Sequence, residues 1–137
     1  MFFNKKKNNK IDSFDAVKIA ALLIHAAKID EKYSIEEEEI IKKTLLNLGT
    51  NQNELETIIK EAKQIEKNAH QILDFTKEIK KLKEKDKIKI IRSLWRIIYS
   101  NKDADIYETN LMRRLSGLLY IDSKTMGDIK DKFKKKI

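Results

Sequence analysis

Two short stretches of this chain carry acidic and hydroxyl side chains at spacings that could do chemistry. The first is Ser34-Ile35-Glu36-Glu37, with Asp30 four residues ahead of the serine. The second is Asp105-Ile106-Tyr107-Glu108, with Asn101 four residues ahead of the aspartate. Both fit a capping box, in which the Ser or Asp oxygen accepts from the third amide of a new helix and the Glu reaches back to the cap's own amide. Such a cap stabilises a helix by ~1 kcal/mol, and acids in the first turn complement its positive end. Capping accounts for Ser34, Glu37, Asp105 and Glu108 without any ligand. It leaves Asp30 and Asn101 unexplained, because both fall at the end of a helical run, where the dipole favours a cation over a carboxylate. A cation lying between that helix end and the next helix start would reconcile them. Oxygen donors of these types suit Ca2+ or Mg2+ rather than zinc. The spacing is not that of an EF-hand, which needs a glycine at its sixth position. Two readings therefore stand: caps alone, or caps with a metal site on Asp30, Ser34, Glu37, Asn101, Asp105 and Glu108.

The elements that must position these residues are helices. Proline is absent, and glycine occurs only at 49, 117 and 127, so turns fall to Asn, Asp and Ser. Apolar residues recur at helical spacing: Phe14, Val17, Ala21, Ile24; then Ile40, Ile41, Leu45, Leu48; then Leu55, Ile58, Ile59, Ile65. Further stripes run through Ile72, Leu73, Phe75, Ile79 and Leu82, through Leu111, Leu115, Leu118 and Leu119, and through Met126, Ile129 and Phe133. Between them, Ile88, Ile91, Trp95 and Ile98 lie beside Ile90, Leu94 and Ile97, an arc wide enough to predict burial between other helices. No strand-like alternation of useful length occurs. The expectation is all-α, about seven helices in a compact bundle. Residues 13–133 read as one helical domain between basic tails at 1–12 and 134–137.

The two acidic turns occupy equivalent places in an internal pseudo-repeat. A shift of 71 residues lays Leu23 on Leu94, Asp30 on Asn101, Ser34 on Asp105 and Glu37 on Glu108. The same shift lays Ile40 on Leu111, Leu48 on Leu119 and Leu55 on Met126. It also aligns "LGTNQNEL" with "LYIDSKTM", each offering an Asn or Asp cap before a new amphipathic run.

The net charge of +8 invites a nucleic-acid reading until its location is considered. Residues 1–10 and 124–137 each carry a net +4, and the body between them is balanced. Of the basic residues only 92, 96, 113 and 114 are arginine, the residue suited to bidentate phosphate contacts. Nucleic acid is thus the weaker candidate partner, and a protein the stronger. Adhesion of the Lys-rich termini to an anionic membrane is the alternative, with Phe2 and Phe3 beside Lys5–Lys7 as a weak anchor.

Much catalytic chemistry is excluded. With no cysteine there is no disulfide, thiolate site or Cys nucleophile. His25 and His70 have no second ligand at metal spacing, no serine sits in a nucleophile elbow, and no Gly-rich phosphate loop exists. No apolar run approaches membrane-spanning length, and the N-terminus lacks a signal-peptide core. A cytoplasmic, non-enzymatic protein is expected. Trp95 and Phe75 read as core anchors, and the Lys-rich run 77–89 as a solvated connection. Arg113 and Arg114 are placed to pair with acids of a neighbouring helix, and Ser116-Gly117 to admit close helix approach or open a partner groove.

The stretches "AAKIDEKYSIEEEEII" and "LWRIIYSNKDADIYETNLMRRLSGLLYID" resemble the tellurite-resistance TerB family over about residues 14–133. The second matches better, at Leu94-Trp95, Asp105, Tyr107-Glu108, Arg113-Arg114 and Leu118-Leu119-Tyr120. The resemblance implies a seven-helix bundle with an acidic surface implicated in divalent-cation binding. It also implies kinship with the domain at the front of membrane-anchored DnaJ-like co-chaperones. The family's Ala-Asp-Gly helix ending is altered here: Glu31 and Lys102 replace the glycines, and Asn101 replaces the second Asp. The resemblance therefore implies a reduced cation affinity in the second turn.

Overall fold

The computed structural model describes residues 11–28, 34–68, 73–99 and 106–136. These residues form seven α-helices, one 3-10 turn and no strand. The helices are α1 (Ser13–Ala27), α2 (Ile35–Asn47), α3 (Leu55–Asn68), α4 (Leu73–Ile79), α5 (Glu84–Tyr99), α6 (Ile106–Leu118) and α7 (Ser123–Lys136). The 3-10 turn, Gln52–Glu54, leads into α3.

Asp12 starts α1 by accepting the Asp15 amide on its side chain at 2.8 Å. Ala16, Ala20, Ala21, Ala26 and Ala27 then leave room for neighbours on several sides, while Ile19, Leu22, Leu23 and Ile24 fill the spaces between them. Helix α1 accordingly packs against α2, α3, α4 and α5. The apolar arc of α5 is buried as its width predicts, including Ile90, Ile91, Leu94, Ile97 and Ile98, yet α1 is the more enclosed of the two. Phe75 and Trp95 are core residues. Phe14 lies on the α1 stripe yet is 60% exposed, at a groove that α1 lines together with α3. A buried polar pair, the hydroxyls of Thr44 and Ser93, links α2 to α5, and Thr44 also donates to the Ile40 carbonyl.

Helices α2 and α6 end in the same way. Thr50 N–H donates to Leu45 O at 3.0 Å and Ile121 N–H to Ser116 O at 2.9 Å, each around a residue of positive φ. That residue is Gly49 (φ 103°) in one case and Tyr120 (φ 59°) in the other. Both are Schellman turns, which satisfy carbonyls left over at a helix end. Helices α5 and α6 begin 71 residues after α1 and α2 begin.

Two local expectations need correction. The Lys-rich run is not solvated throughout: Lys87 is 7% exposed, and its ammonium donates to the Leu119 carbonyl at 3.0 Å. Asn51 precedes the 3-10 turn without any side-chain cap bond, whereas Asp122 caps α7 by accepting the Thr125 amide at 2.7 Å. Arg113 and Arg114 are exposed, and the nearest acids before them in sequence, Asp103, Asp105 and the side chain of Glu108, lie outside the described residues.

Candidate functional site

The start of α2 carries the part of the first acidic turn that the structure describes. Ser34 has extended backbone (φ −89°, ψ 165°) and stands just ahead of the helix. Its hydroxyl accepts the Glu37 amide at 3.1 Å, and Glu37 Oε1 accepts the Ser34 amide at 2.8 Å. The Ser34 hydroxyl lies 3.2 Å from the same Oε1, to which it donates. The capping box is therefore complete, and it draws the Glu37 carboxylate to 1% exposure. A carboxylate so buried requires its hydrogen bonds, and the helix start supplies them.

Around this cap the other first-turn acids divide. Glu38 is paired with Lys63 at 3.2 Å and with Lys42 at 3.5 Å, and Lys42 continues to Glu56 at 3.1 Å. The hydrogen bond to Glu56, with Glu38 adding its charge, raises the Lys42 pKa above its ordinary value. These contacts staple α2 to α3. Glu36 and Glu39 are exposed.

The end of α1 is held by a carboxylate from a distant part of the chain. Lys28 follows the last turn, and its ammonium is 2.7 Å from Glu66 Oε1; His25 Nδ1 is 3.2 Å from Glu66 Oε2. Glu66 comes from α3 and is nearly buried, so both of its oxygens hold groups at the carboxyl end of α1. That end of a helix favours positive charge, and Lys28 already brings it. The only hint in the sequence was the i, i+3 placement of His25 and Lys28; Glu66 is 41 residues from His25.

Of the residues proposed from sequence, Ser34 and Glu37 are thus brought together. Asp30, Asn101 and Asp105 lie outside the described residues, as does His70. Glu108 lies on α6, with its side chain outside the described residues. Among the described residues no three His, Cys, Asp or Glu side chains form a group able to hold a metal ion. The donor chemistry of the first turn, hard hydroxyl and carboxylate oxygen, suits Ca2+ or Mg2+. Its described geometry serves the cap, so Ser34 and Glu37 do not make a cation site by themselves. No described helix is long and apolar enough to cross a membrane.

The family model for the tellurite resistance protein TerB matches residues 16–131, a stretch that takes in both acidic turns. No curated protein and no solved structure matches the chain.

Proposed function

The chain belongs to the tellurite resistance protein TerB family, and on that premise we propose that it is a non-enzymatic stress-response or scaffolding module. It binds a protein partner and, at its acidic helix–loop–helix turns, a divalent cation. The observation that carries this reading is the family match over residues 16–131, a span that contains both turns. The absence of a nucleophile elbow, phosphate loop or cysteine from the sequence favours binding over catalysis.

The cation, Ca2+ or Mg2+, would draw on Asp30, Ser34 and Glu37 in the first turn and on Asn101, Asp105 and Glu108 in the second. Bound there, it would supply positive charge at a helix end and tie that end to the next helix start. The chain's own residues do the remaining work: the Ser34–Glu37 box fixes the start of α2, and Glu66 holds Lys28 and His25 at the end of α1.

Amide NMR during a Ca2+ or Mg2+ titration tests this. Wild type is compared with Ser34→Asn/Glu37→Gln and with Asp105→Asn/Glu108→Gln, which keep capping atoms and remove anionic charge. Saturable shifts confined to the turns, and lost in the variants, are expected. A wild type with no saturable response would reduce the acids to caps.

A further inference from the structure

A groove opens among α5, α6 and α7 that the reading above does not use. Its volume is about 210 Å3, and Trp95, Met112 and Met126 form its apolar lining. Arg113 and Lys130 also line it, and among the described residues no acid does. The Lys130 ammonium lies 5.3 Å from the centre of the Trp95 ring. The buried Trp95 Nε1–H has no acceptor among the described residues, an arrangement that a folded chain seldom tolerates.

Gly127 adds an independent observation. It sits inside α7, where glycine weakens a helix relative to alanine. A Cβ built there would meet nothing within 4 Å, so the glycine does not serve a close helix approach. What its missing side chain does is leave the groove open.

A complementary feature stands at the start of α2. Ile35 is 84% exposed, and Glu36 and Glu39 beside it are exposed as well. Positions 35 and 39 are one helical turn apart on the same face, so an exposed aliphatic side chain is offered beside the Glu39 carboxylate, with Glu36 on the adjoining face. Glu38, in contrast, is held by Lys42 and Lys63.

We propose that the groove of one molecule receives Ile35 of a second copy, with Glu36 and Glu39 set against Arg113 and Lys130. The two surfaces differ, so the contact is heterologous and adds molecules head to tail. One aliphatic side chain with two rim ion pairs makes a small, weak interface, screened by salt. A scaffolding module gains from such a contact when many copies are held close together, where weak links add.

Sedimentation velocity of the full chain, up to about 1 mM and at about 0.05 and 0.5 M salt, tests the proposal. At low salt the mass-average coefficient should rise with concentration, and at high salt the rise should flatten. Gly127→Leu, which fills the groove, and Ile35→Ser, which removes the inserted side chain, should each weaken association about tenfold or more. Circular dichroism melts confirm that these variants fold. Arg113→Glu/Lys130→Glu and Glu36→Lys/Glu39→Lys should each abolish association alone, and an equimolar mixture of the two should restore it. Loss of fold cannot give that restoration. A wild type that stays monomeric to about 1 mM at low salt overturns the proposal. So does a mixture that stays monomeric, or a Gly127→Leu protein that associates like wild type. A monomer whose groove instead takes an added acidic peptide also overturns it, since the occupant is then another protein.

Discussion

Where α2 ends, Gly49 turns the chain through positive φ, and the carbonyl of Leu48 accepts the backbone amide of Ile11 at 3.1 Å. Where α6 ends, Tyr120 makes the same turn, and the corresponding carbonyl of Leu119 accepts the Lys87 ammonium at 3.0 Å. The hydrogen-bond pattern of the two turns is shared, and the chemistry that secures them is not. A glycine enters the left-handed region freely, whereas any other residue there is strained by ~1–2 kcal/mol. The tyrosine must be held by its surroundings. The residue is 70% exposed, with the ammonium groups of Lys80 and Lys87 each 5.8 Å from its ring centre. The first half of the fold thus closes with backbone, and the second half closes with a buried lysine. Packing differs between positions as well: Leu22 of α1 is fully buried, whereas Met126 of α7 borders the groove beside Trp95.

The largest effect that would sharpen this contrast is in the core. Leu22→Ala, at a fully buried position on α1, should cost ~2–5 kcal/mol of unfolding free energy. Met126→Ala should cost less, because its surroundings already border an open groove. Equal costs in urea unfolding would show the two positions to be equally tightly packed. Next, Lys87→Met keeps the apolar stem but removes the donor to Leu119 O, and should destabilise by ~1–3 kcal/mol. A neutral result would mean that the carbonyl finds water instead.

The helix-end turns should then respond with opposite signs. Gly49→Ala puts a Cβ into the left-handed region and should lower stability by ~1–2 kcal/mol. Tyr120→Gly relieves strain but loosens the unfolded chain and gives up its lysine contacts, so it should raise stability by at most ~1 kcal/mol. Two losses of equal size would break the comparison.

The smallest effects are pH-dependent and differ in sign between two helix starts. The Thr125 amide bond holds the Asp122 carboxyl below its ordinary pKa. Its contribution to stability is therefore present above the unfolded value and is lost as pH falls through the folded one. Burial, with the charges of Asp12 and Glu78, pushes Asp15 up. Ionised Asp15 therefore opposes folding above its raised pKa and ceases to do so in acid. Asp15→Asn should stabilise at neutral pH, and the gain should vanish once wild-type Asp15 is protonated; Asp122→Ala should do the reverse. Urea midpoints at pH 3 and pH 7 check both.

Periodicity alone displayed the helices, because each stripe repeats at the spacing of a helical face. The Ser34–Glu37 box was legible too, since both partners fall within four residues. What spacing could not show was the partner across space. Glu66 reaches the end of α1 from 41 residues away, and Lys87 reaches the end of α6 from 32. A face also does not announce its cover. Phe14 continues the α1 stripe yet projects into solvent, and Lys87 stands in a charged run yet is buried. Nothing in the Tyr120 side chain marks it for positive φ; only its alignment with Gly49 at the 71-residue shift does.

The claim that the acidic turns are more than caps is tested most directly by linkage between cation and stability. Urea unfolding of wild type and of a fourfold variant (Ser34→Asn, Glu37→Gln, Asp105→Asn, Glu108→Gln) is measured with and without Ca2+ or Mg2+. A cation that binds only the folded chain stabilises it by ~2.7 kcal/mol at a hundred times its Kd. Wild type should gain stability as cation is added, and the variant should not. A wild type indifferent to both cations, or a variant that gains as much, contradicts the account.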